Sequence, residues 1–388
     1  MSNAPIYHID PAKFWEDPYP DLAAMRRDFP VAYVPELNAT LLTKRDDIFR
    51  EEKRIDVFSS VQPGGLMTTL MGENMMRKDG APHLAERKAI FPTVSPRTVR
   101  DVWKSQFEAA TTEILDRLEK QGKGDLVRDY AMPVSAEALK AITGLTNMHF
   151  AEMDRVSQGM IDGIANHASD PAIEANCNNC TASIDAHIDA QVPVLQAAPD
   201  MSLLSVSMKA GMPDKQIRAN IKLAISGGQN EPRDAIAGTI ATLLDHPEQL
   251  EMATKGEVAW LAVFEEYARW MSPIGMSPRR IAQRYALDNV TFEPDDRAFL
   301  MFGSGNRDED IFKSPEKFDI TRDTTKAISF GAGPHFCAGA WASRCMIAEV
   351  ALPMFFTRFK EIALTEKVAY RGWAFRGPLS AHAKWLVQ

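Results

Sequence analysis

The stretch Phe330–Gly339, FGAGPHFCAG, constrains this chain more than any other: a glycine-bent loop carrying one cysteine runs straight into the apolar, helix-periodic segment AWASRCMIAEVALPMFFTRF. Gly331, Gly333 and Gly339 have no side chain beyond hydrogen, so the backbone can bend tightly and lie flat against a planar partner. Cys337 stands at the mouth of the following helix. Amides at a helix start carry partial positive charge, which lowers a thiol's pKa and favours the thiolate. Read alone, the loop fits either an inert cysteine in a turn or a thiolate ligand for a metal such as haem iron.

Composition narrows the classes. The 388 residues carry a formal charge of -8 and a pI near 5.6, which speaks against a nucleic-acid binder with a basic face. The N-terminal MSNAPIYHIDPAKFWEDPYP lacks a basic, then apolar, signal pattern, and no stretch is long and apolar enough to span a bilayer. Four cysteines make no disulfide framework and fit a reducing cytoplasm. Cys177 and Cys180 form a CNNC, which without a second pair or a histidine cluster is weak evidence for zinc or redox work.

In chain order, residues 14–29 read as a short helix, VAYVPELNATLLTK as a hairpin turning at Leu37 to Asn38, and RDDIFREEK as a helix. Residues 56–80 have no clean period and read as a long loop, in which Met67, Met71, Met75 and Met76 serve packing or a flexible pocket wall. In PHLAERKAIFP, His83 and Arg87 share a helix face and suit an anion. From Val99 to about Met208 the pattern is an all-helical block, HFAEMDRVSQGMIDGIANH included. One long helix is expected from Pro213 to Leu244, kinked where Gly227, Gly228 and Pro232 break helical rules and place Gln229, Asn230 and Glu231 at a ligand-facing groove. Glu266 and Arg269 are three apart on a helix, a strand begins near Arg280, and the tail after Leu364 alternates as strands.

These motifs together resemble the haem-thiolate signature of the bacterial cytochrome P450 superfamily. Phe330, Gly331, Gly333, His335, Cys337 and Gly339 match its cysteine loop, Glu266 and Arg269 its ExxR, and His83 and Arg87 its HxxxR, in family order. The resemblance implies a mainly α cytochrome P450 fold with a small β region, a single haem domain over 1–388 with no fused reductase, and heme b (iron-protoporphyrin IX) bound through Cys337. His83, Arg87, Arg280 and His335 would be propionate partners, Phe330 and Gly331 would lie against the haem, and Arg322 would complete the ExxR network, with Lys317 where many members have arginine. The family's (A/G)Gx(D/E)T stretch is altered, since Asn230 stands at the acid and Glu231 at the threonine. A buried carboxyl there would have its pKa raised into the range where it gives and takes protons.

The same resemblance implies a cytoplasmic monooxygenase using O2 and electrons from a separate ferredoxin or flavin/iron-sulfur reductase, with Lys88, Arg97, Arg100 and Arg344 as a candidate docking patch. SGGQNEPRDAIAG, with glutamate for threonine, is similar to bacterial aromatic O-demethylases acting on lignin-derived methoxyphenols such as guaiacol and syringol. Phe58, Phe150, Ile225, Met276 and Phe375 are the candidate lining of an apolar pocket for a small aromatic substrate, with core packing as the other reading for each. Two further readings stand beside this one: a peroxide-driven peroxygenase with Glu231 as acid-base, or hydroxylase of another small apolar substrate; and a non-enzymatic haem-thiolate sensor. No nucleic-acid or membrane partner is expected.

Overall fold

The computed structural model describes residues 2–166 and 169–387, so His167, the last residue of the helical run HFAEMDRVSQGMIDGIANH, lies outside the described residues. The chain packs as two units, each assembled from segments distant in sequence.

The first unit is Met1–Gln62, Ala241–Cys337 and Val368–Leu379. Its five-stranded sheet has the order Val31–Val34, Ala39–Leu42, Arg297–Leu300, Ser277–Ile281, Phe58–Ser59. The expected hairpin is present, closed by Asn38 in the left-handed region at φ 47, which a short polar side chain tolerates. Neighbouring strand residues point to opposite faces, and both faces are buried. Leu42, Ala298 and Leu300 join a core with Phe58, Ile281 and Phe292, whereas Leu41 and Phe299 join another with Phe14 and Met25. The helix expected over 14–29 is two, Pro11–Glu16 and Tyr19–Asp28: Asp17 is extended, as a residue before proline prefers, and Pro18 starts the second. The tail expectation holds for Tyr370–Arg371 and Gly377–Pro378, which pair in this unit.

The second unit is Pro63–Ile240, Ala338–Lys367 and Ser380–Gln388, and it is mainly helical. Its core is rich in methionine and aliphatic side chains, with Met67, Met71, Met153 and Met160 among Ile184, Ile188, Ile221 and Ile225. The expectation of a loop over 56–80 is corrected by the strand Phe58–Ser59, the helix Leu66–Met71 and a tight turn at Met75–Arg77. Met67 and Met71 are one helical turn apart and bury together, which favours the packing reading for them. The helical block is interrupted by the strand Lys123–Asp125, which pairs with His382–Val387, itself paired with Phe359–Leu364. The helix expected from Pro213 to Leu244 is Asp214–Ser226 and then Asn230–Leu244. Pro232 therefore falls in the first turn of a new helix, where a missing amide costs nothing, and a break replaces the expected kink.

Candidate active site

Within the first unit the cysteine loop is shaped by its glycines. Gly331 and Gly333 take φ of 71 and 63, and a Cβ there would come within 2.9 Å of Glu52 Oε1 and 2.9 Å of Lys53 Cγ respectively. Only glycine meets both demands. The Cys337 amide donates to the Phe330 carbonyl at 2.9 Å, closing the loop, and Cys337 is exposed while Cys177, Cys180 and Cys345 are buried. The Phe330 ring stands 6.2 Å from Phe264 and 6.4 Å from Phe336. Among the described residues no group of three or more His, Cys, Asp or Glu side chains gathers as a metal cage. A single accessible thiol suits an iron whose other ligands come from a macrocycle, so the donor set fits haem.

Beneath the loop lies a pair of residues that motif reading passed over. Glu52 Oε2 accepts the Ala332 amide at 2.7 Å and Glu52 Oε1 accepts from Arg279 Nη2 at 3.3 Å. Burial pushes the Glu52 carboxyl up to about 7 against the pull of Arg279. Arg280, on the same strand, is half-buried: its Nε donates to the Val61 carbonyl at 3.0 Å and its Nη1 pairs with Asp295 at 2.8 Å. His335 ends the turn Gly333–His335.

Glu266 and Arg269 project from helix Trp260–Met271 with no solvent exposure. Arg269 also donates to the carbonyls of Asn306, Pro315 and Lys317 at 2.8, 3.0 and 3.1 Å. Arg322 Nε reaches Glu266 Oε1 at 3.3 Å, the place expected for a third partner. Lys317 enters the network through its carbonyl, so the network does not call on its side chain.

In the second unit the break before Asn230 organises a polar cluster. A Cβ on Gly228 would stand 2.5 Å from the Ala224 carbonyl oxygen, so only glycine fits the turn. Gln229 Nε2 donates to Asp154 at 3.1 Å, and Asn230 Nδ2 donates to Gln158 at 3.2 Å while Asn230 Oδ1 accepts from Ser157 at 3.3 Å. Both side chains thus turn toward helix Phe150–Ile164. Arg233 bridges Asp154 at 3.0 Å and Asp234 at 2.9 Å. Glu231 stands apart: among the described residues, neither of its carboxylate oxygens reaches solvent or accepts a hydrogen bond from another residue. Burial, helped by the charge of Asp234, pushes its pKa up to about 7 against its own amide and Arg233. Asp154 and Arg233 carried no motif signal; an aspartate three residues before a helix's small-polar pair Ser157–Gln158 is visible only once the two helices pack.

His83 and Arg87 lie on helix Gly80–Val94, His83 buried and Arg87 half-buried. On the same helix Glu86 is buried, pairs with Lys78 and accepts from Asn220 Nδ2 at 2.7 Å. Of the residues expected to line a pocket, Phe58, Met276 and Phe375 fall in the first unit and Phe150 and Ile225 in the second. Phe58 is fully buried against Tyr285 and Phe292, and Ile225 lies in the second unit's core, so both pack as core. Phe150 and Met276 are partly buried at core margins, and Phe375 is exposed beside a bridge to Ile274. In the proposed docking patch, Arg97 and Arg100 both pair with Asp101.

Known proteins resemble this chain in sequence and in fold. Residues 260–367 match the family model described as cytochrome P450. Cytochrome P450 107B1 of Saccharopolyspora erythraea is 25% identical over 311 residues, 79% of this chain and 74% of that one. The polyketide biosynthesis cytochrome P450 PksS of Bacillus subtilis is 23% identical over 386 residues, 92% of each. Among solved structures, P450BioI bound to an acylated acyl carrier protein superposes with a TM-score of 0.88 at 20% identity, over 96% of this chain and 100% of that one. Fold, cysteine loop and relatives define a haem-thiolate oxygenase. The protein is a cytochrome P450 monooxygenase, and its prosthetic group is heme b. No helix among the described residues is long and apolar enough to cross a membrane.

Proposed function

We propose that this monooxygenase removes the methyl group of a methoxyphenol of the guaiacol or syringol type. The observation that carries the reading is Glu231, whose two sealed carboxylate oxygens accept from no other residue among those described and whose pKa is pushed up to about 7. Buried polar atoms left unmatched are costly, so this carboxyl favours a ligand that brings its own hydroxyl and ether oxygen. Near neutrality it can also hold a proton or release one.

The overall reaction takes the aryl methyl ether, O2, two electrons and two protons to a catechol-type phenol, formaldehyde and water. One oxygen atom enters the methyl C–H bond, and the resulting hemiacetal collapses with loss of formaldehyde. Cys337 would hold the iron; bound haem supplies oxygen activation, with the thiolate's electron donation favouring O–O cleavage. His83, Arg87, Arg280 and His335 are proposed for the propionates on the strength of the motif resemblance. Glu231 is proposed as the acid-base group, held in register by Gln229 and Asn230 through their bonds to Asp154, Ser157 and Gln158. Electrons come from a separate reductase, of ferredoxin or flavin/iron-sulfur type.

A second reading draws on the relatives' names, among them a steroid C26-monooxygenase of Rhodococcus jostii and an epothilone C/D epoxidase of Sorangium cellulosum. These support oxidation of a larger apolar substrate. Titration of the ferric protein with guaiacol, syringol, 4-methoxybenzoate, a steroid and a fatty acid, followed at the Soret band, separates the two. A saturable low-to-high-spin shift with a methoxyphenol, coupled to formaldehyde release, is expected. A response confined to the steroid or the fatty acid would discard demethylation.

A further inference from the structure

Glu52 follows helix Arg45–Glu51 as its C-terminal cap and is 2% exposed. A carboxylate is almost never buried so deeply without work for its oxygens. Here one oxygen takes the Ala332 amide at 2.7 Å and the other faces Arg279 at 3.3 Å, with Lys53 as the next nearby charge. The Ala332 amide lies between the two left-handed glycines, and a buried backbone donor must find an acceptor. Residues 52 and 53 also fill the space where Gly331 and Gly333 would otherwise carry side chains. One helix end therefore supplies both the floor of the bend and the acceptor that fixes it.

The geometry points to Glu52 as a positioning residue: its carboxylate grips the Ala332 amide, sets the Gly331–Gly333 bend, and so fixes where the loop presents Cys337. Arg279 favours the charged form that makes this grip strong, against the burial that raises the Glu52 carboxyl. Downstream, the bond from the Cys337 amide to Phe330 transmits the bend to the thiol. The inference rests on Cys337 being the iron's thiolate.

The test compares the reduced, carbon monoxide-bound spectra of the haem-loaded wild type, Glu52→Ala and Glu52→Gln, with hydrogen exchange at the Ala332 amide measured on the same proteins. Glu52→Ala is expected to raise the ratio of thiol-type to thiolate-type haem about tenfold, as loss of a charge-assisted hydrogen bond implies, and to speed Ala332 exchange. Glu52→Gln keeps an oxygen for the amide and is expected to restore most of the thiolate-type band. If Glu52→Ala yields no folded protein, Glu52→Asp keeps the charge but shortens the reach by one methylene, and the same loss is expected. A wild-type band and unchanged Ala332 exchange in Glu52→Ala or Glu52→Asp overturns the assignment, as does a Glu52→Gln indistinguishable from Glu52→Ala. A wild type without a thiolate-type band would instead remove Cys337 as ligand, which is a separate failure.

Discussion

Glu266 and Arg269 meet through two parallel hydrogen bonds of 2.7 and 2.8 Å, and neither side chain touches solvent. Burying two charges is expensive, and this pair is held by excellent geometry and by the surrounding carbonyls. Arg269→Ala is expected to cost about 3–5 kcal/mol, because it strands a buried carboxylate. Arg322→Ala removes a longer, peripheral contact and is expected to cost about 1–2 kcal/mol. Urea unfolding of the haem-loaded variants measures both, and equal costs would show that the pair is not the centre of the network.

Glu231 links protonation to stability. Its folded-state pKa, about 7, lies above its ordinary value of 4.5, so the fold favours the protonated form. The contribution is full below about pH 4.5 and is lost as pH rises through about 7. Glu231→Gln does not titrate, and the wild type should therefore lose stability relative to it across that window. A difference between the two that is flat with pH would mean the carboxyl is not desolvated.

Proton handling by Glu231 also predicts a kinetic outcome. Glu231→Thr should keep its haem yet lose peroxide-driven turnover by about 100-fold or more, the scale of a removed acid-base group. Full peroxide activity in that variant would leave Glu231 without the role.

The four cysteines should separate by spectroscopy. Burial pushes Cys177 and Cys345 up to about 11, which leaves them as thiols near neutral pH, while Cys337 is exposed in its loop. Cys337→Ala is expected to abolish the thiolate-type carbon monoxide spectrum, and Cys345→Ala to keep it. The reverse pattern would move the axial ligand.

Cys177 and Cys180 serve packing in this structure. A Cβ on Gly159 would collide with Cys180 Sγ, and one on Gly163 would come within 2.6 Å of Cys177 Sγ. Gly163→Ala should destabilise by about 1–3 kcal/mol through overpacking, and Cys177→Ala in the same chain should recover part of that loss. Thermal unfolding of the single and double variants checks the coupling; additive losses would refute the contact.

Local chemistry was legible wherever residue type and spacing act within a few positions. The glycines of the cysteine loop, the hairpin at Asn38 and the Glu266–Arg269 spacing all carry their geometry in the residues themselves. Glu52 was not legible, because its role depends on an amide 280 positions away. Pro232 misled for a related reason: the same residue that kinks a helix interior is welcome in a first turn, and only packing decides where the helix starts. The pocket residues were the least readable, since an apolar side chain such as Phe58 or Ile225 looks the same in a sequence whether it lines a cavity or fills a core.

The parallel pairing of Ala39–Leu42 with Arg297–Leu300 has a consequence for synthesis. Thr40 and Ala298 are partners across 258 positions of chain. At translation rates of about 5–20 residues per second, the first hairpin waits roughly 13 to 52 seconds for its neighbour to leave the ribosome. Throughout that interval Ala39–Leu42 offers an unpaired edge, the surface on which nascent chains aggregate or recruit chaperones. Yield in a cell therefore depends on how fast codons after residue 42 are read as well as on how stable the finished molecule is.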